Sequence, residues 1–261
     1  MEPHAPTHPT PLLSASALVK DYTTDRGITR VVDNVSFDIH HGETLGLVGE
    51  SGSGKSTIAR MLLCLIEPTA GSIHFDGEDL LAATPRRLRA LRRQIQIVFQ
   101  DPYAALNPRM RVRQILAEPF AIHREPLAPT RTLELLTTVG LDASALDRYP
   151  HEFSGGQRQR INIARALALK PQFLVLDEPV SALDVSVGAQ VINLLRDLQR
   201  EHGLTYLFIS HSMPLVRYLC DRIAVLHHGR LVELGTSEQV CTNPANPYTQ
   251  QLITATPELP A

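Results

Sequence analysis

Short apolar runs alternate along this chain with segments of helical periodicity. Four runs indicate buried strands, at residues 44–49, 95–99, 173–177 and 205–210. Segments with helical patterns separate them, an order typical of a parallel sheet whose strands are joined by crossover helices. The pattern therefore predicts an α/β fold.

Other segments predict two additions to this α/β core. Apolar and polar residues alternate around glycine turns in three places, at residues 35–43, 71–79 and 222–235. This alternation predicts an added antiparallel β subdomain. Between residues 101 and 170 the strand patterns disappear and helical patterns dominate, which predicts an inserted α-helical subdomain.

The two ends of the chain differ from the predicted core. Residues 1–11 contain four prolines and no periodicity, so we expect a disordered leader. The folded domain is expected to cover residues 12–236, and residues 237–261, with several further prolines, are expected to form an extension beyond the core.

Composition narrows the class of protein. Of the 261 residues, 43% are hydrophobic, as in soluble globular proteins, and the net charge of -2 gives no bias toward nucleic acid. Cys64, Cys220 and Cys241 are odd in number and widely spaced, which disfavours a disulfide framework or a zinc site and suits a reducing cytosol. The first residues lack a signal-peptide pattern and no long apolar stretch follows, so we expect a chain that is neither exported nor membrane-spanning.

The clearest motif is GESGSGKST at residues 49–57, a P-loop that follows a predicted strand and opens a predicted helix. Its glycines permit backbone conformations in which successive N–H groups converge on phosphates. Lys55 is expected to contact the β- and γ-phosphates and Ser56 to bind magnesium. The predicted phosphate-binding residues are Gly49, Glu50, Ser51, Gly52, Ser53, Gly54, Lys55, Ser56 and Thr57.

Polar residues follow three further predicted strands. Asp177 and Glu178 end one of them, and we assign Asp177 to the magnesium ion and Glu178 as the general base. Gln100 and His211 end two others, and ligands of open α/β sheets bind at such strand ends. We expect Gln100 to contact magnesium and water, and His211 the γ-phosphate. Each of the two alone is also compatible with an ordinary surface position.

A second anion site is predicted at residues 154–157, Ser-Gly-Gly-Gln. Ser154 and Gln157 form a capping-box pattern in front of apolar residues at helical spacing, so a helix is expected to begin there. A helix N-terminus attracts anions, and the adjacent Gly155 and Gly156 allow close approach. The sequence thus contains two phosphate-binding elements about a hundred residues apart.

Together these elements resemble one known family. The P-loop, Gln100, SGGQ at 154–157, LVLDEP at 174–179, SALD at 181–184 and His211 are similar in order and spacing to the ATPase subunits of ABC transporters. The resemblance extends from about residue 12 to residue 260. It implies a RecA-like P-loop NTPase core, ATP and Mg²⁺ as ligands, and Tyr22 stacked on adenine, although Tyr22 also suits a core position.

The same resemblance accounts for the second anion site. ABC ATPases work as head-to-tail pairs, in which residues 154–157 of one subunit close on the ATP held by the P-loop of the other. Asp184 would lie across that interface. The chain has one copy of each element, so the resemblance implies a second ATPase subunit, either a related chain, which it favours, or another copy of this one.

A finer resemblance concerns residues 96–120 and 243–260, which look like the dipeptide, oligopeptide and nickel permease branch, especially its second ATPase subunit. It implies two transmembrane permease subunits, an extracytoplasmic solute-binding protein that acts indirectly, and a peripheral position on the cytoplasmic face of the inner membrane. The candidate contacts with a permease are Tyr103, Leu106 and Asn107. The chain departs from the branch at Ser212, usually acidic, and at Asn246, usually histidine.

Several functions compete. The leading interpretation is ATP-driven import of di- or oligopeptides, with import of nickel or a metal chelate as the alternative. From another class, a soluble ABC ATPase acting on ribosomes or DNA would usually carry two fused ATPase units or a long coiled coil, and the sequence has neither. A GTPase would need an Asn-Lys-x-Asp motif, which is absent.

Overall fold

The computed structural model of this protein describes residues 10–25 and 27–255. Within them lie ten strands: β1 (Leu13–Thr24), β2 (Gly27–Ile39), β3 (Thr44–Val48), β4 (Ala70–Phe75), β5 (Glu78–Asp79), β6 (Ile95–Val98), β7 (Phe173–Asp177), β8 (Thr205–Ile209), β9 (Arg222–His227) and β10 (Arg230–Thr236).

The same residues form ten α-helices: α1 (Lys55–Leu62), α2 (Pro85–Leu91), α3 (Pro102–Ala105), α4 (Val112–His123), α5 (Arg131–Thr138), α6 (Gly155–Ala166), α7 (Val185–His202), α8 (Met213–Leu219), α9 (Ser237–Thr242) and α10 (Pro247–Thr254). Two 3-10 helices, Ala143–Asp147 and Pro150–Glu152, precede α6.

A six-stranded sheet forms the centre of the fold, in the order β10-β9-β3-β8-β7-β6. All neighbouring pairs are parallel except β10 with β9. Its strands β3, β6, β7 and β8 are the four predicted from the apolar runs, although β3, β6 and β8 end one residue earlier than predicted. Strands β3 and β8 are buried at every position, which explains their uninterrupted apolar character.

A four-stranded antiparallel sheet, β2-β1-β4-β5, packs beside it. It confirms the antiparallel sheet predicted from residues 35–43 and 71–79. The prediction was wrong for residues 222–235, because β9 and β10 belong to the six-stranded sheet. The reason is that β9 pairs in parallel with β3 and is buried along residues 223–226, while β10 is a partly exposed edge strand.

Two apolar cores lie on opposite faces of the six-stranded sheet. Neighbouring residues of β7 point into different cores, since Leu174 and Leu176 join helices α4 to α8, whereas Phe173 and Val175 join α1 and the antiparallel sheet. The elements between β6 and β7 are all helical. No helix among the described residues combines the length and apolar character needed to cross a bilayer.

The C-terminal segment packs onto the larger core. Val240 in α9 is buried and Tyr248 in α10 lies against the same cluster, so this extension, expected beyond the core, contacts it directly. Residues 1–9 of the expected leader and residues 256–261 of the extension lie outside the described residues.

Candidate active site

Parallel strands deliver the predicted site residues to one edge of the sheet. Strands β3, β6, β7 and β8 end there, and the residues that follow them surround a cavity of about 630 Å³. Its lining is Val31, Ser51, Gly52, Gly54, Lys55, Ser56, Thr57, Gln100, Glu178 and His211. The structure therefore brings together P-loop residues and polar residues predicted from three separate strand ends.

The P-loop turns sharply between β3 and α1. Gly49 has a φ of 148°, and a Cβ atom there would lie 2.1 Å from the carbonyl oxygen of Leu226 in β9, so only glycine fits. The loop ends where α1 begins at Lys55. The first three residues of α1, Lys55, Ser56 and Thr57, line the cavity, and the N–H groups of a first helical turn have no intrahelical partner and attract anions.

Lys55 is held inside the loop. Its Nζ donates hydrogen bonds to the carbonyl oxygens of Gly49 at 2.7 Å and Glu50 at 2.8 Å, and the residue is only 6% exposed. Burial lowers the pKa of Lys55, and the nearby carboxylates of Glu178 and Asp177 oppose this. Lys55 is thus bonded within the loop and lines the cavity.

Asp177 and Ser56 form an oxygen pair next to the loop. The Ser56 hydroxyl donates to Oδ1 of Asp177 at 3.3 Å. Burial raises the pKa of Asp177, and the hydrogen bond from Ser56 opposes that shift. Hydroxyl and carboxylate oxygens are ligands that Mg²⁺ accepts together with phosphate oxygens, so this donor set fits a magnesium ion.

Glu178 points differently from its neighbour Asp177. It has a φ of 47°, a left-handed conformation unusual outside glycine, while its N–H donates to the Ile209 carbonyl of β8 at 3.0 Å. Its Oε2 atom accepts a hydrogen bond from Gln100 Nε2 at 3.2 Å and lies 3.4 Å from His211 Nδ1. Two side chains from other strand ends thus converge on one oxygen of Glu178.

Residues 154–157 form the predicted capping box. Ser154 Oγ accepts from the Gln157 N–H at 3.3 Å, and Gln157 Oε1 accepts from the Ser154 N–H at 3.0 Å, which confirms a helix that begins at Gly155. Gly156 also has a packing role, because a Cβ atom there would lie 2.2 Å from Val187 Cγ1 in α7. None of residues 154–157 is among the described residues that line the P-loop cavity.

Asp184 and Tyr22 are also outside the described lining of that cavity, as are Gly49, Glu50, Ser53 and Asp177. Asp184 caps α7 by accepting from the Val187 N–H at 2.9 Å, and it lines a neighbouring cavity of about 240 Å³ together with Glu178 and His211. Tyr22 lies on β1, is 37% exposed and has Lys20 Nζ 5.2 Å from its ring centre. Among the described residues, Tyr22 is not part of the P-loop cavity lining.

Sequence reasoning missed two residues at this edge. Val31 of β2 lines the P-loop cavity, and nothing in its local pattern distinguishes it from other strand residues. Tyr248 of α10 contacts the P-loop through its hydroxyl group. Tyr248 lies in residues 243–260, whose resemblance to the permease branch gives no indication of a contact with the P-loop.

Known proteins share this sequence and architecture. Residues 32–181 match the profile of the ABC transporter family. The oligopeptide transport ATP-binding protein OppF of Bacillus subtilis is 53% identical over 253 residues, which cover 94% of this chain and 82% of the relative. The dipeptide transport ATP-binding protein DppF of Lactococcus lactis is 53% identical over 238 residues, covering 89% and 76%.

Solved structures agree. A dimeric ATP-binding cassette in a post-hydrolysis state, bound to ADP and Pi, superposes with a TM-score of 0.78 at 30% identity, covering 86% of this chain and 98% of that one. The resemblance and the P-loop NTPase fold expected from the motifs are thereby confirmed. The chain belongs to the ABC transporter family and is one of its ATP-binding cassettes.

Proposed function

We propose that this chain is the ATP-hydrolysing, energy-coupling subunit of an importer for di- and oligopeptides. The proposal rests on one observation: Lys55 of the P-loop and Glu178 at the end of β7 line the same cavity. A triphosphate cradle beside a carboxylate supplies both the binding and the base that hydrolysis needs.

In this proposal each side chain has a defined task. Lys55 holds the β- and γ-phosphates, and Glu178 accepts the proton of the attacking water. Gln100 and His211 orient Glu178 through the shared Oε2 atom, and His211 also contacts the γ-phosphate. Tyr22 would stack on adenine, for which its exposed ring is available.

A magnesium ion would be held by Ser56 and Asp177, with Gln100 as a further oxygen ligand. When bound, it would neutralise charge on the phosphate oxygens. Burial raises the pKa of Asp177 because it destabilises the negative charge of the carboxylate. A bound cation would stabilise that charge.

The names of the relatives support the cargo class. Proteins named for oligopeptide and dipeptide transport are more than half identical to this chain over most of its length. We assign to the chain two permease subunits, an indirectly acting solute-binding protein, and a peripheral position on the cytoplasmic face of the membrane.

Uptake measurements test this function. A strain that lacks the chain should lose uptake of labelled di- and tripeptides to background, wild-type chain should restore it, and Lys55→Ala should not, because the buried cation of the cradle is gone. Lys170→Ala, at the opposite end of β7, is the matched control and should restore uptake. If peptide uptake persists in the deletion strain and nickel uptake is lost instead, the peptide assignment is wrong.

We further propose that ATP is shared between two subunits, with the α6 N-terminus as the second phosphate site. Residues 154–157 lie outside the described lining of their own P-loop cavity, while Ser154 and Gln157 are exposed. A similar ATP-binding cassette was solved as a dimer bound to ADP and Pi, which supports a pairing of two such subunits. The favoured partner is a related ATPase subunit, with a second copy as the alternative.

Ser154→Arg should separate the two sites. We expect ATP binding to the isolated chain to stay near wild type, while hydrolysis in the assembled transporter falls by about 10²-fold, the cost of losing a transition-state donor. Ser154→Asn keeps a capping oxygen and controls for loss of the helix cap. Weakened binding of ATP to the isolated Ser154→Arg chain would contradict the cross-subunit role.

A further inference from the structure

Helix α10 reaches the P-loop through one side chain. The hydroxyl oxygen of Tyr248 accepts a hydrogen bond from the backbone N–H of Glu50 at 3.1 Å, across 198 positions of sequence. Glu50 is the second residue of the P-loop. The C-terminal extension therefore makes a direct contact with the loop that carries Lys55.

The ring of Tyr248 is held in place by stacking. It lies on the imidazole of His227, with ring centres 3.8 Å apart and an angle of 19° between the planes. His227 ends β9, whose Val225 pairs with Val48 at the end of β3, immediately before the P-loop. The stack thus places the Tyr248 hydroxyl beside the start of the loop.

The backbone around Tyr248 is fixed as well. Asn246 caps α10, since its Oδ1 accepts from the Tyr248 N–H at 2.9 Å. The Glu233 carboxylate of β10 accepts from the N–H groups of Ala245 at 2.8 Å and Asn246 at 3.1 Å. Charge-assisted bonds of this kind are stronger than neutral ones, so the start of α10 is anchored to the central sheet.

The Gly49–Glu50 peptide group is bonded on both sides. Its carbonyl oxygen, that of Gly49, accepts from Lys55 Nζ at 2.7 Å, while its N–H, that of Glu50, donates to Tyr248. Among the bonds described for this peptide, the Tyr248 hydroxyl is the partner of its N–H. Rotation of this peptide would move a carbonyl that anchors Lys55.

We propose that Tyr248 is a positioning residue for the P-loop: its hydroxyl fixes the Gly49–Glu50 peptide and so the loop conformation that receives the nucleotide. This rests on the proposed binding of ATP at the loop. It also gives Asn246 a local role, because its side chain caps the helix that presents Tyr248.

Tyr248→Phe isolates the hydroxyl, since phenylalanine keeps the stack on His227 and the packing of α10. In the full chain with Mg²⁺, we expect the Kd for a fluorescent ATP analogue to rise by about fivefold, the size of one net hydrogen bond. Hydrogen–deuterium exchange in a peptide that spans residues 49–54 should become faster, while the melting temperature stays close to wild type.

Tyr218→Phe is the matched control. Tyr218 also uses its hydroxyl, which donates to Asn193 Oδ1 at 2.7 Å, but it lies on α8 and outside the described P-loop contacts. Its removal should change neither the Kd nor the exchange of residues 49–54. If wild-type chain binds ATP and Tyr248→Phe matches it in both measurements, the positioning role is overturned; if wild-type chain does not bind ATP, the proposed function fails instead.

Discussion

Glu178→Gln should reduce ATP hydrolysis in the assembled transporter by about 10²–10⁴-fold, the range that a general base contributes. Glutamine keeps the size of the side chain and one oxygen that can accept the hydrogen bond from Gln100, which is 3.2 Å long in the wild-type chain. It cannot take the proton of water. Binding of ATP should persist, because Lys55 and the loop amides are untouched, so the variant should accumulate in the ATP-bound, closed pair.

Single-turnover hydrolysis and ATP retention after gel filtration measure the two effects separately. Glu125→Gln, in a half-buried pair with Arg93 at 2.7 Å, makes the same chemical change outside the site and should leave the rate unchanged. A rate near wild type in Glu178→Gln would remove Glu178 from the role of base. Loss of ATP binding with loss of rate would instead indicate a structural role, such as support of the left-handed turn at φ 47°.

The elements that could be predicted are those determined by a short, continuous stretch of the sequence. A parallel strand buried on both faces needs a continuous apolar run, and β7 begins and ends where that run does. The P-loop and the capping box at Ser154 are contiguous patterns whose backbone requirements are specific to their residue types. Because parallel strands end at one edge, the sequence predicted Gln100, His211 and Glu178 at the same edge of the sheet, and the structure brings them into contact there.

The features that could not be predicted depend on contacts between residues far apart in the sequence. The pattern of residues 222–235 correctly predicts strands but wrongly places them in the antiparallel subdomain, since the pairing of β9 with β3 depends on contacts distant in the chain. The packing role of Gly156 requires knowing that Val187 lies against it. The hydrogen bond between Glu50 and Tyr248 joins two distant segments, and the sequence pattern of neither segment indicates that they meet.

Gly49→Ala tests how the loop itself is built, and it should lower the free energy of unfolding by roughly 4 kcal/mol. Two costs combine: strain at a φ of 148°, and overpacking of a Cβ atom only 2.1 Å from the Leu226 carbonyl oxygen. That oxygen belongs to the backbone of β9, paired with β10 at Leu231, so it cannot move aside without disturbing the ladder.

Gly52→Ala is the matched comparison in the same loop. Its φ is 80°, but a Cβ atom there meets nothing within 4 Å, so only conformational strain of about 1–2 kcal/mol is expected. Urea unfolding of the two variants and the wild type measures the difference. Equal destabilisation would mean that the loop moves away from β9 at little cost. The P-loop would then not be the rigid phosphate cradle inferred from its contact with β9.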